Sequence, residues 1–121
     1  MNMNQLYLAG NLTKDAEVIF TPKGQKKTVF RLASNRKYKT KAGEVKEDHV
    51  FMTVVSWDKL GESVANLKKG ENVLVIGRLH QREYEKDGVK NTIVEVAANE
   101  IKFLSPKIEQ VNKELDAAPS N

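Results

Sequence analysis

The chain of 121 residues has no cysteine, which excludes disulfides and thiolate metal sites. Its two histidines, His49 and His80, stand far apart and no motif groups them with carboxylates, so there is no zinc signature. Glycine is scattered: Gly10, Gly24, Gly43 and Gly61 are isolated, and no Walker loop, dinucleotide fingerprint or nucleophile elbow is present. Glu83, Glu85 and Asp87 cluster only next to a turn and beside Lys86 and Lys90, as a solvated hairpin would. No run approaches the roughly 18 to 20 apolar residues of a membrane span, and the opening residues lack the basic and apolar regions of a secretion signal. The expectation is a cytoplasmic binding protein with no enzymatic activity, no cofactor, no metal and no membrane partner.

Charge is present, and unevenly. The net charge is only +4, yet residues 23–46 carry nine Lys and Arg against the single acid Glu44. That stretch sums to +8, leaving −4 for the rest of the chain. Such asymmetry presents a field to polyanions despite the modest total.

The stretch 50–57 is crowded with β-branched and aromatic residues and reads as a strand. Alternation puts Phe51, Thr53, Val55 and Trp57 on one face and Val50, Met52, Val54 and Ser56 on the other. One face serves a core; the other holds two rings outward. Residues 28–34 form another strand, with Phe30 and Leu32 inward and Val29, Arg31 and Ala33 outward, because an arginine is costly to bury unpaired. The basic run 36–43 contains one aromatic, Tyr38, with no apolar neighbour within three residues. A ring among cations suits stacking on bases combined with phosphate neutralisation. With residues 44–48 this run forms two arms of a long hairpin.

Further strands are expected at 5–9, with Leu6 and Leu8 inward and Tyr7 outward, and at 16–20, closed by a turn at 21–24. Others lie at 71–79 and at 92–98, the last continuing through 101–104 past an irregularity near Asn99. Leu60, Val64 and Leu67 make one apolar stripe, predicting a short helix within 58–70, capped by Asp58 and ended by Lys68, Lys69 and Gly70. Arg78, His80, Arg82 and Tyr84 share a face, a basic stripe ending in an aromatic, and Asp87-Gly88 marks a tight hairpin. Residues 105–121 read as an appended mobile tail with helical spacing at Ile108, Val111 and Leu115.

This order closes into an all-β, five-stranded antiparallel OB-fold barrel with a short helix between strands 3 and 4 and extended hairpins, over a domain of 1–104. Residues alone leave three partners open for the aromatic face: single-stranded DNA, single-stranded RNA or another protein. Leu8-Ala9-Gly10-Asn11-Leu12, Phe30-Arg31-Leu32-Ala33, Lys59-Leu60 with Leu67-Lys68-Lys69-Gly70, and Val75-Ile76-Gly77-Arg78-Leu79 together resemble the bacterial-type single-stranded DNA-binding proteins. The resemblance covers about residues 4–104 and implies sequence-nonspecific binding and protection of single-stranded DNA in replication, recombination and repair.

It also implies which rings stack. Tyr38, Phe51 and Tyr84 occupy positions where the family usually has tryptophan, and Trp57 one where it has phenylalanine. Arg31, Arg36, Lys37, Lys39, Arg78 and Arg82 are the cations expected to meet the backbone. The resemblance further implies a homotetramer, a dimer of dimers joined through the first strands, for which an exposed Tyr7 and an unpaired edge are suited. Family members usually end in an acidic, apolar tip that docks replication and repair proteins. This chain departs there, since residues 116–121 hold one acid, Asp116, and no terminal aromatic.

Overall fold

The computed structural model describes residues 1–104; the tail expected over 105–121 lies outside the described residues. Six strands form: β1 (Leu6–Leu12), β2 (Glu17–Phe20), β3 (Lys26–Lys39), β4 (Val45–Trp57), β5 (Asn72–Lys86) and β6 (Val89–Phe103). One helix, α1 (Asp58–Ser63), separates β4 from β5. The sheet order is β1-β5-β6-β4-β3-β2, and β1 returns to pair β3 at Asn11↔Ala33 and Leu12↔Leu32. That return closes five strands into a barrel, while the short β2 lies along the first residues of β3.

Four of the five closing pairs are antiparallel, but β4 and β6 run parallel, through Val54↔Val96 and Val55↔Ala97. The expectation of a wholly antiparallel barrel is corrected by parity. An odd number of strands cannot close into a ring with every neighbour reversed, so one pair must share a direction.

Alternation fills the interior. Leu12, Phe30, Leu32, Val54, Val73, Val75 and Val96 point inward from five different strands, and Val64 and Leu67 plug one end from the segment after β4. Fully burying each such side chain is worth about 1.5 to 3 kcal/mol. Two glycines let the barrel wall close this tightly: an added Cβ would stand 2.1 Å from the Ala33 carbonyl oxygen at Gly10, and 2.2 Å from that of Ala97 at Gly77.

The helix is shorter than its apolar stripe predicts, and Asp58 does not cap it. Trp57 takes the N-cap position without a side-chain hydrogen bond, and Asp58 has a φ of 51°. The carbonyl of Gly61, which a longer helix would give to residue 65, instead accepts from the buried Thr28 hydroxyl at 2.7 Å and from the Val64 N–H. Val64, Ala65 and Leu67 all bond three residues back, a tighter winding that turns Val64 and Leu67 into the barrel end. Lys68 and Lys69 do not close a helix either. The Lys69 N–H donates to Asp15 at 2.9 Å, and the Lys68 ammonium lies 3.8 Å from the same carboxylate.

Two hairpins extend beyond the barrel. β3 and β4 stay in register from Lys27↔Trp57 to Lys39↔Val45, and Asp87 (φ 54°) and Gly88 (φ 78°) make the two-residue primed turn joining β5 to β6. The irregularity expected near Asn99 is a register step: Ile76 faces Glu100 but Gly77 faces Ala98, leaving Asn99 as the extra residue.

Candidate nucleic-acid interface

Register, more than sequence position, decides what shares the outer face. On β3 and β4 the pairs Lys27↔Trp57, Val29↔Val55, Arg31↔Thr53 and Ala33↔Phe51 point to one side, opposite the core residues Phe30, Leu32 and Val54. The parallel pair Val55↔Ala97 carries that side onto β6, and Arg78↔Ala97 and His80↔Glu95 carry it onto β5. Phe51, Trp57, Arg31, Arg78, Arg82 and Tyr84 therefore belong to one continuous face. Lys37 and Lys39 extend it along the β3–β4 hairpin, opposite Glu47 and Val45.

Tyr38 and Arg36 do not share that parity. They lie opposite Lys46 and Asp48, on the side of the hairpin continuous with the core residues. The Arg36 guanidinium donates to Asp48 at 3.0 Å and lies 5.2 Å from the Tyr38 ring centre. All four rings are nonetheless accessible, with relative exposures of 37% for Tyr38, 48% for Phe51 and 39% for both Trp57 and Tyr84.

A cation stands over each of the two β4 rings. The Lys27 ammonium stands 5.5 Å from the Trp57 ring centre and the Arg31 guanidinium 5.5 Å from that of Phe51. Such contacts are worth about 0.5 to 1 kcal/mol at exposed sites. Phe51 and Trp57, six residues apart on one strand, are separated by roughly 20 Å at the usual rise, so they address different stretches of a bound chain.

Beside Trp57, on the β4–β6–β5 side, lies a cleft of about 380 Å³. Its floor is Val55 and Ala97, both small and buried; Lys27, Trp57, Arg78, His80, Arg82 and Glu95 surround it. Lys27, His80 and Glu95 were not singled out as site residues in the sequence, and neither was His49, whose ring stacks 6.3 Å from Phe51. His49 also shares a 2.7 Å hydrogen bond with the Asn35 side chain across the hairpin. Strand parity could have found His49, and His80 was visible in the basic stripe. Lys27 and Glu95 needed the cross-strand register.

The profile of the Single-strand binding protein family matches residues 3–104. The chain belongs to that family. Single-strand binding proteins are binders, not enzymes, in agreement with the expectation from the missing catalytic motifs. The chain is 41% identical over 121 residues to Single-stranded DNA-binding protein 2 of Listeria monocytogenes, covering 98% of this chain and 72% of that relative. It is 42% identical over 107 residues to Single-stranded DNA-binding protein A of Bacillus subtilis, covering 87% of this chain and 61% of the relative. The chain thus spans between 61% and 72% of the length of these two relatives.

Among solved structures, a deletion mutant of the single-stranded DNA binding protein from Thermus aquaticus matches with a TM-score of 0.75 and 31% identity, over 87% of this chain and 52% of that one. A Plasmodium falciparum structure, a complex with single-stranded DNA, has a TM-score of 0.74 at 24% identity over 87% of this chain and 97% of that one, a likeness of fold. In this single-strand binding protein, no group of His, Asp or Glu that could hold a metal occurs among the described residues. No helix among them is long and apolar enough to cross a membrane.

Proposed function

We propose that this chain binds single-stranded DNA without sequence preference along the outer face of β3, β4, β6 and β5, protecting it during replication, recombination and repair. The observation that carries the reading is the co-facial run of Lys27, Arg31, Phe51, Trp57, Arg78 and Tyr84, with each β4 ring lying open under a cation. A base stacking on a ring gains roughly 1 to 3 kcal/mol, more than the cation it displaces, and the freed cation reaches a phosphate instead. Stacking accepts any π-face, so base identity matters little. Tyr38 and Arg36 meet the strand where it crosses the edge of the β3–β4 hairpin onto its reverse side.

Trp57 is the only tryptophan, which makes the test direct. Titrating oligo(dT) into the protein is expected to quench its fluorescence strongly. The affinity should fall linearly on a log–log plot with salt, at about −0.7 per phosphate neutralised. Unchanged fluorescence, or equal affinity for duplex, would remove this reading in favour of a purely electrostatic binder.

The homotetramer belongs to the same proposal. β1 pairs with β5 along Leu6 to Asn11 but meets β3 only at Asn11 and Leu12, so one edge over residues 6–10 faces no strand among the described residues, and Tyr7 is 63% exposed beside it. A second copy adding its own β1 there would cover the edge, and two such dimers make the assembly. Light scattering should return the mass of four chains, with or without oligo(dT); a monomer in both conditions refutes the arrangement.

A further inference from the structure

Only one charged residue is buried among those described, and it is an anion on the face that gathers the cations. Glu95 is 6% exposed and sits beside the cleft floor, opposite His80 in the β5–β6 register. Its Oε1 accepts from the Arg82 Nε–H at 3.2 Å, with the Arg82 side chain still 44% exposed. A carboxylate here repels phosphate, so simple charge matching to DNA does not explain it. A buried ion pair is also weak support for stability, since the cost of desolvation offsets most of the attraction.

We propose that Glu95 is a positioning residue for DNA binding: it anchors Arg82 by the Nε edge and leaves the four Nη–H donors standing at the cleft, beside Trp57, for a phosphate. This rests on the proposed function. A free arginine side chain has much rotamer freedom to lose on binding; one already fixed at folding loses less. Anchoring through Nε suits arginine because its planar fork keeps donors on the other edge, which a lysine cannot do.

The sign of one substitution separates positioning from plain charge. Glu95→Gln raises the net charge by one, so a merely electrostatic Glu95 predicts tighter binding and a steeper salt dependence. Positioning predicts the opposite. Affinity for oligo(dT) falls about three- to ten-fold, and the salt slope flattens by up to the ~0.7 of one phosphate contact. In an Arg82→Gln background the same change should weaken binding no further. Arg82→Lys keeps the ion pair's charges and so tests the idea even if Glu95→Gln fails to fold; with its ammonium held by Glu95 it should lose affinity several-fold and flatten the salt slope in the same way.

Binding by Glu95→Gln as tight as the parent's, an equal loss in the Arg82→Gln background, or full affinity in Arg82→Lys would each overturn the inference. Thermal unfolding of each variant separates a loss of fold from a loss of contact. If the parent itself fails to bind and its Trp57 signal does not move, the proposed function falls. If the parent binds and these variants are unimpaired, only the role of Glu95 falls.

Discussion

Changing Phe51 and Trp57 together to alanine is expected to weaken binding to oligo(dT) by at least about thirty-fold, read by equilibrium titration with a labelled strand. Each ring contributes roughly 1 to 3 kcal/mol per stacked base, and about 1.4 kcal/mol is a factor of ten. The two sites lie far enough apart along β4 for their losses to add, so each single variant should show about half of the combined free-energy effect. Lys27 and Arg31 remain in place after truncation. The salt dependence should therefore keep its slope while the whole line drops, which separates lost stacking from lost phosphate contacts. Both rings are exposed, so little of the fold depends on them, and the unfolding midpoint serves as the control. A loss below three-fold, or a change of slope without a drop, would mean that the rings are bystanders on a basic surface.

What was legible in the sequence follows from how far each inference had to reach. The grouping of Phe51 with Trp57 needed only the two-residue period of a strand, and β4 keeps that period without a bulge against β3. Asp87-Gly88 specified its own turn, since the primed geometry it adopts needs nothing beyond two neighbouring residues. The helix failed for a tertiary reason: Thr28, distant in sequence, takes the Gly61 carbonyl, and no local pattern announces that. Tyr38 illustrates an intermediate case. Its exposure followed from its polar neighbours, but its side of the hairpin depends on β3 running unbroken from Phe30 and Leu32 to Lys39, and no apolar residue past Ala33 marks that continuation.

The cleft was the least legible feature. Lys27 meets Trp57 through a pairing that spans the whole β3–β4 hairpin, and Arg82 meets Glu95 on the far side of the step at Asn99. Had β6 kept the pairing of Ile76 with Glu100 without an extra residue, its side chains would have shifted by one relative to β5. Val96 would then have lain opposite His80, where Glu95 now lies, exchanging the core and outer sides. The bulge is thus what lets β6 keep both Ile101 and Val96, of opposite parity, against the core while Glu95 faces the cleft.

Gly77→Ala is accordingly expected to be among the most damaging single methyl additions in the chain. At that step the two backbones approach so closely that a Cβ would lie 2.2 Å from the Ala97 oxygen and 3.0 Å from the Ala98 Cα, and neither is a side chain that can rotate away. Relief requires β6 to move off β5, which opens the packing around Val75 and Val96 on one side and displaces Arg78 from Ala97 on the other. A loss of about 3 kcal/mol is expected, the upper range for overpacking, lowering the thermal midpoint by roughly 10 °C or more. Gly24→Ala provides the contrast: its φ is +84° but nothing lies within 4 Å, so only the roughly 1 to 2 kcal/mol of left-handed backbone strain applies. Because the same shift separates Arg82 and Tyr84 from the β6 side of the cleft, Gly77→Ala should also bind oligo(dT) more weakly at temperatures where it remains folded, whereas Gly24→Ala should bind like the parent. Equal unfolding midpoints for the two variants would mean that β5 and β6 absorb the methyl group elsewhere, and that the glycine is not what holds core and binding face in their fixed relation.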